Sequence, residues 1–198
     1  MAPKHYIFGY GSLISASSRR ITGIAGDSVA ARVSGFERSW VSWKGTQMRA
    51  VAVSAKPNSQ CNGVLFEVPE TELPKFDARE MNYVRMSLDH SQLSYLHPAQ
   101  AIKPDSLVWV YVYDNNEQGL DSTPIVQSYL DVILLGCLDI APGFAEEFLQ
   151  NTNNWHGLVD DRHRPVYARP QQHTQSVQLD QLLQEYCPKA FSQRRLSE

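Results

Sequence analysis

At 198 residues, 42% of them hydrophobic and 20% charged, the chain is long enough to bury a sizeable core and short enough to be read as one domain spanning 1–198. A net charge of −3, a pI near 6.1 and no run of Lys or Arg longer than two exclude the electrostatic footprint of a nucleic-acid or anionic-membrane binder, which leaves a small molecule as the expected partner. Cys61, Cys137 and Cys187 are too far apart for a disulfide framework or a zinc site, and no apolar stretch of leader or membrane length occurs, so a soluble cytoplasmic protein is expected.

The first predicted strand, residues 5–9 of HYIFGYGSLI, runs into Gly9-Tyr10-Gly11-Ser12. Glycine lacks the Cβ that blocks positive φ or close approach, so this loop is able to turn its backbone N–H groups toward a ligand. The same four residues are also ordinary turn chemistry. They are not a dinucleotide fingerprint, because Ile14 stands where the third glycine belongs and no βαβ pattern follows. Nor is Ser12 at a nucleophile elbow, which needs glycine where Tyr10 and Ile14 stand.

Further strands are expected over 29–36, 47–55 and 62–68. PETELPKFDAREMNY then predicts a short helix with Thr71 as cap and Pro74 in the first turn, ending near Arg79 and Glu80. Alternation resumes over 82–88, which puts Glu80 at a helix-to-strand junction, a place from which a carboxylate can point into a cavity. In LVWVYVY, residues 107–113, both faces are apolar, as in a central strand or the wall of a closed barrel.

STPIVQSYLDVILLGCL predicts a buried packing helix with Thr123 as cap, Pro124 in its first position and a stripe of Ile125, Tyr129, Val132 and Gly136; Cys137 falls in its core. PGFAEEFLQ and QLDQLLQEY are weaker amphipathic helices. Residues 150–175 show no periodicity and read as a long loop placed to cover a site. Within it, His156, Asp160, Asp161 and His163 read as members of a polar surface loop rather than as metal ligands, because no regular element fixes their spacing.

FGYGSLI followed by NGVLFEVPETELPKFDAREMNYVR resembles the γ-glutamylcyclotransferase superfamily, which includes ChaC-type and AIG2-like proteins. The family's Tyr-Gly-Ser strand exit falls on Tyr10, Gly11, Ser12 and Leu13; its Gly-hydrophobic-aromatic strand falls on 63–68, and its Asp-x-x-Glu helix end falls on Asp77 to Glu80 with Tyr83 beyond. ARVSGFERSW and TPIVQSYLDVILLGC are similar to further family segments, and the likeness spans roughly residues 6–140, leaving 141–198 as a variable part.

The resemblance implies an α+β fold, a small closed β-barrel with helices packed outside. It implies an enzyme that cyclises a γ-glutamyl amide or peptide to 5-oxoproline and releases the amine, with neither metal nor organic cofactor. Glu80 is then the expected catalytic base, its basicity raised by burial. Tyr10, Gly11, Ser12, Leu13 and Tyr83 are the expected substrate-binding residues, with the substrate carboxylate on backbone N–H groups rather than on an arginine pair. The alternative is a non-catalytic ligand-binding or interaction module on the same fold. The oligomeric state stays open.

Overall fold

In the computed structural model, which describes residues 2–113 and 122–197, the chain divides into two units, Met1–Glu37 with Ala52–Asp114 and Arg38–Val51 with Asn115–Glu198. The first carries most of a mixed sheet and two short helices. Its elements are β1 (His5–Gly9), α1 (Ala16–Thr22), the larger parts of β2 (Ser28–Val41) and β3 (Ala50–Val68), α2 (Leu73–Arg79), β4 (Tyr83–Leu88), β5 (Leu93–Tyr95) and β6 (Leu107–Tyr113).

The strands lie in the order β4-β6-β1-β3-β2-β5. β1 runs antiparallel to β3, from His5 opposite Val68 to Gly9 opposite Val64, and parallel to β6, with Ile7 opposite Trp109. Ile7, Phe8, Leu65, Phe66 and Phe76 are at most 1% exposed and form the heart of this unit. Each such side chain contributes about 1.5–3 kcal/mol by leaving water. Phe76 joins α2 to the sheet, its ring centroid 5.5 Å from that of Phe66.

The sheet does not close, so the expected barrel is corrected to an open mixed sheet. A barrel requires its first and last strands to pair; here β4 pairs with β6 and β5 with β2, and among the described residues no pairing joins β4 to β5. β5 has only three residues, too few to carry a closing ladder. The two apolar faces of β6 have another cause, its interior place between β4 and β1. Val108, Val110 and Val112 are buried on one face. On the other, Trp109 stacks on His5 at 6.2 Å and lies under the Arg85 guanidinium at 4.9 Å.

The strands expected over 47–55 and 62–68 are one element, β3. The apparent break between them is an exposed polar stretch in which Asn58 takes φ 64, the left-handed conformation that asparagine tolerates better than most residues.

The second unit contains β7 (Ile125–Val126), α3 (Gln127–Leu138), α4 (Pro142–Gln150), β8 (Thr152–Asn153), β9 (Leu158–Asp160), α5 (Ser176–Tyr186), α6 (Pro188–Ser192) and β10 (Arg195–Leu196). β10, β9 and β7 form a parallel three-stranded sheet, and β8 pairs with the Arg38–Ser39 end of β2. α3 is buried at every position from Gln127 to Cys137, as expected of a packing helix. It starts three residues later than Pro124, because Ile125 and Val126 pair with Leu158 and Val159 as strand. The carbonyls of Thr123 and Pro124 accept instead from Arg49 Nε and Arg49 N–H, at 2.9 and 2.7 Å. Among the described residues no helix is long and apolar enough to cross a membrane.

Candidate active site

The glycines at the end of β1 serve close approach rather than positive φ. Gly11 sits at φ −129, and neither it nor Gly9 is in the left-handed region. A Cβ on Gly9 would lie 2.8 Å from Leu13 Cβ, and one on Gly63 of β3 would lie 2.5 Å from the Gly9 carbonyl oxygen and 2.7 Å from the Phe8 ring. The chain therefore folds tightly back over its own strand as a single 3-10 turn, Ser12–Ile14, with Ile14 N–H donating to Gly11 O at 2.9 Å. The first N–H groups of such a turn have no partner within it.

Two arginines that sequence reading left aside hold this turn. Arg19 of α1, itself 5% exposed, donates from Nη1 to the carbonyls of Leu13 and Ile14, both at 2.8 Å. Burial, with Arg20 adding repulsion, pulls its guanidinium down to about 10. Arg79, the last residue of α2, donates from Nη2 to Ser12 Oγ at 2.9 Å. Its Nε lies 3.0 Å from Glu80 Oε1. Neighbours i and i+1 do not face each other along a helix. They meet here because the helix ends at Arg79 and Glu80 has already left helical geometry at φ −94, ψ 36. The Glu80 side chain is 16% exposed.

Of the residues expected at a site, Ser12 and Glu80 are thus brought onto one guanidinium. Tyr83 follows through the backbone, its N–H donating to Glu80 O at 2.9 Å. Leu13, the middle residue of the turn, is buried. Tyr10 is buried as well, and its hydroxyl donates to the carbonyl of Tyr111 at 2.5 Å, tying the strand exit to β6. The Tyr111 hydroxyl donates in turn to Asp77 Oδ1 at 2.8 Å, and Asp77 pairs with Arg85 at 3.4 Å. Burial first, then the bond to Asp77, push the Tyr111 phenol far above the ordinary tyrosine range, and the Glu80 charge acts in the same direction. Tyr111 is therefore a neutral donor in the same electrostatic neighbourhood as Glu80.

The second unit holds residues 150–175, expected as one long polar surface loop; His156 and His163 are exposed as expected, but the reading needs correction in that β8 and β9 lie within the segment and Asp161 is not at the surface. Asp161 is fully buried and accepts from Ser128 N–H at 2.7 Å, Ser128 Oγ at 2.6 Å and Val166 N–H at 2.7 Å, so it pins the loop to the first turn of α3. Arg162 reaches the buried Asp131 of α3 from both Nε (2.6 Å) and Nη2 (3.0 Å). Beside this pair lies a cavity of about 770 Å³ lined by Ser128, Asp131, Arg162, His163 and His173 among others. Asp131 also accepts from Gln127 Nε2 at 2.7 Å and meets His173 Nε2 at 3.0 Å. With its carboxylate occupied on both oxygens, Asp131 serves to fasten the loop.

A family model described as gamma-glutamyl cyclotransferase, AIG2-like, matches residues 7–129. Among solved structures, the chain is similar to a gamma-glutamyl cyclotransferase with a TM-score of 0.60 at 17% identity, over 78% of this chain and 92% of that one. It is similar to an uncharacterized protein from Homo sapiens with a TM-score of 0.60 at 15% identity, over 77% and 90% of the two chains. It also resembles YkqA from Bacillus subtilis, with a TM-score of 0.51 at 18% identity, over 73% and 52%. At these identities the likeness is one of fold. No curated protein matches the sequence.

Proposed function

The chain belongs to the AIG2-like gamma-glutamyl cyclotransferase family, and on that premise we propose that it cyclises a γ-glutamyl amide or peptide to 5-oxoproline and releases the attached amine. The observation that supports this most is the shared guanidinium of Arg79, which holds the Glu80 carboxylate beside the Ser12 turn.

In the proposed reaction the substrate's α-amine attacks its own γ-carbonyl carbon. A C–N bond forms within the five-membered ring, the C–N bond to the leaving amine breaks, and no water is consumed. Because nucleophile and electrophile belong to one molecule, the protein's main task is to fold the substrate into a near-attack geometry, where orientation supplies roughly 7–11 kcal/mol of the barrier. On its way to the lactam N–H the ammonium loses two protons, and the departing amide nitrogen gains two to leave as an ammonium; Glu80 relays them one at a time, a role worth about 10² to 10⁴ in rate. The N–H groups at Gly11, Ser12 and Leu13 hold the α-carboxylate or the oxyanion that develops on the γ-carbonyl. Tyr10 and Tyr83 border the bound substrate.

The test is incubation of the purified protein with a panel of γ-glutamyl compounds, covering γ-glutamyl peptides, γ-glutamyl amino acids and γ-glutamylamines, with quantitation of 5-oxoproline. Formation of 5-oxoproline from at least one class supports the reading. Binding without turnover across the panel supports a non-catalytic module instead.

A further inference from the structure

Resting on the reading above, we infer that Arg79 is a positioning residue of this site, its rigid guanidinium setting the separation of the Ser12 turn from the Glu80 carboxylate. The guanidinium presents five N–H donors in one plane. Nη1 donates to Ser18 O at 3.1 Å and to Thr22 Oγ1. Nη2 donates to Ser12 Oγ at 2.9 Å and to Ser18 Oγ at 3.0 Å, and Nε faces Glu80 Oε1 at 3.0 Å. Every nitrogen is engaged, and the side chain is only 10% exposed. To take a substrate carboxylate, Arg79 would have to give up one of these partners, so it shapes the site without gripping the ligand.

Its partners lie on the Ser12 turn and the adjoining α1, which Arg19 already ties together, and at the α2 exit, which lies 57 to 67 residues farther along the chain. One planar group in contact with the turn, with α1 and with Glu80 fixes the separation of the turn from the carboxylate. That precision is what a near-attack reaction requires, since a displacement of about 1 Å can cost about 10² in rate. A lysine keeps the charge but offers three donors from a point, and cannot hold this set of acceptors.

Arg79→Lys and Arg79→Gln test this, read by kcat and KM for 5-oxoproline release, by the pH profile of kcat/KM and by the melting temperature. Both substitutions are expected to lower kcat by about 10- to 100-fold with a smaller change in KM. The acidic limb, which reports ionisation of the base, should move to higher pH in Arg79→Gln, where a cation beside Glu80 is lost, and stay near the parent's in Arg79→Lys. A purely structural arginine would lower the melting temperature and leave kcat of the folded variants within about twofold of the parent's in both, and that result overturns the inference while the proposed function stands. If both variants unfold, Thr22→Val, which removes one Nη1 acceptor at nearly constant shape, must still lower kcat several-fold; an unchanged kcat overturns the inference. Failure of the unaltered protein to form 5-oxoproline from any γ-glutamyl compound overturns both.

Discussion

Ser12 Oγ accepts a hydrogen bond from Arg79 Nη2 at 2.9 Å across 67 residues of sequence. Through it the end of the first strand and the end of the second helix become parts of one site, since the next nitrogen along the same guanidinium faces Glu80. What makes that contact possible is the tight return of the chain at Gly9 and Gly63, and a first prediction concerns this packing.

Gly63→Ala would place a Cβ 2.5 Å from the Gly9 carbonyl and 2.7 Å from the Phe8 ring, and neither backbone nor a fully packed ring can yield cheaply. The expected cost is about 1–3 kcal/mol or more, with a lower denaturation midpoint. Urea unfolding of the variant against the parent checks it; an unchanged midpoint would show that the strand exit is looser than described.

In the second unit, Asp161→Ala strands Ser128 N–H, the Ser128 hydroxyl and Val166 N–H. At about 1–3 kcal/mol for each group left without a partner, the loss is about 3 kcal/mol or more. Hydrogen exchange should accelerate at Ser128 and Val166 specifically. In the parent protein, residues 168–175 should exchange faster than Val166.

Acid stability supplies a third expectation. Burial pushes the Asp180 carboxyl up, but hydrogen bonds from Arg194 and Arg162 outweigh it and hold the group below its ordinary 3.8. The unfolded chain then binds the proton more readily than the folded one. Asp180 therefore contributes stability that is complete above that ordinary value and is lost as pH falls through the lower, folded one. Unfolding free energies measured between pH 2 and 6 should decline at the acidic end in the parent, with a smaller decline in Asp180→Asn.

Local chemistry made much of this legible. β1 and β6 have the bounds that alternation and turn residues predict, and α2 ends at Arg79 with Glu80 beyond it, as its composition implies. The open sheet was not legible, because two apolar faces on 107–113 are equally consistent with a barrel wall and with an interior strand capped by an Arg85–Trp109–His5 stack. The start of α3 was missed because Thr123-Pro124 is a sound helix entry in isolation, and only pairing with β9, more than thirty residues later, makes Ile125-Val126 a strand. Arg79 carried little local signal: a basic residue in a last helical turn, beside a glutamate, reads as an ordinary surface ion pair, and its other partners at Ser12, Ser18 and Thr22 are far away in sequence.

The proposed chemistry stands most directly on Glu80, and Glu80→Gln isolates it, since the amide keeps shape and hydrogen-bonding capacity but is no base. The measurement is 5-oxoproline release by this variant beside the parent, with melting temperatures taken on the same preparations. The expected result is a kcat lower by about two to four orders of magnitude in a variant that stays folded. A Glu80→Gln protein that releases 5-oxoproline at close to the parental rate would contradict it, because the proton would then be leaving through some other group.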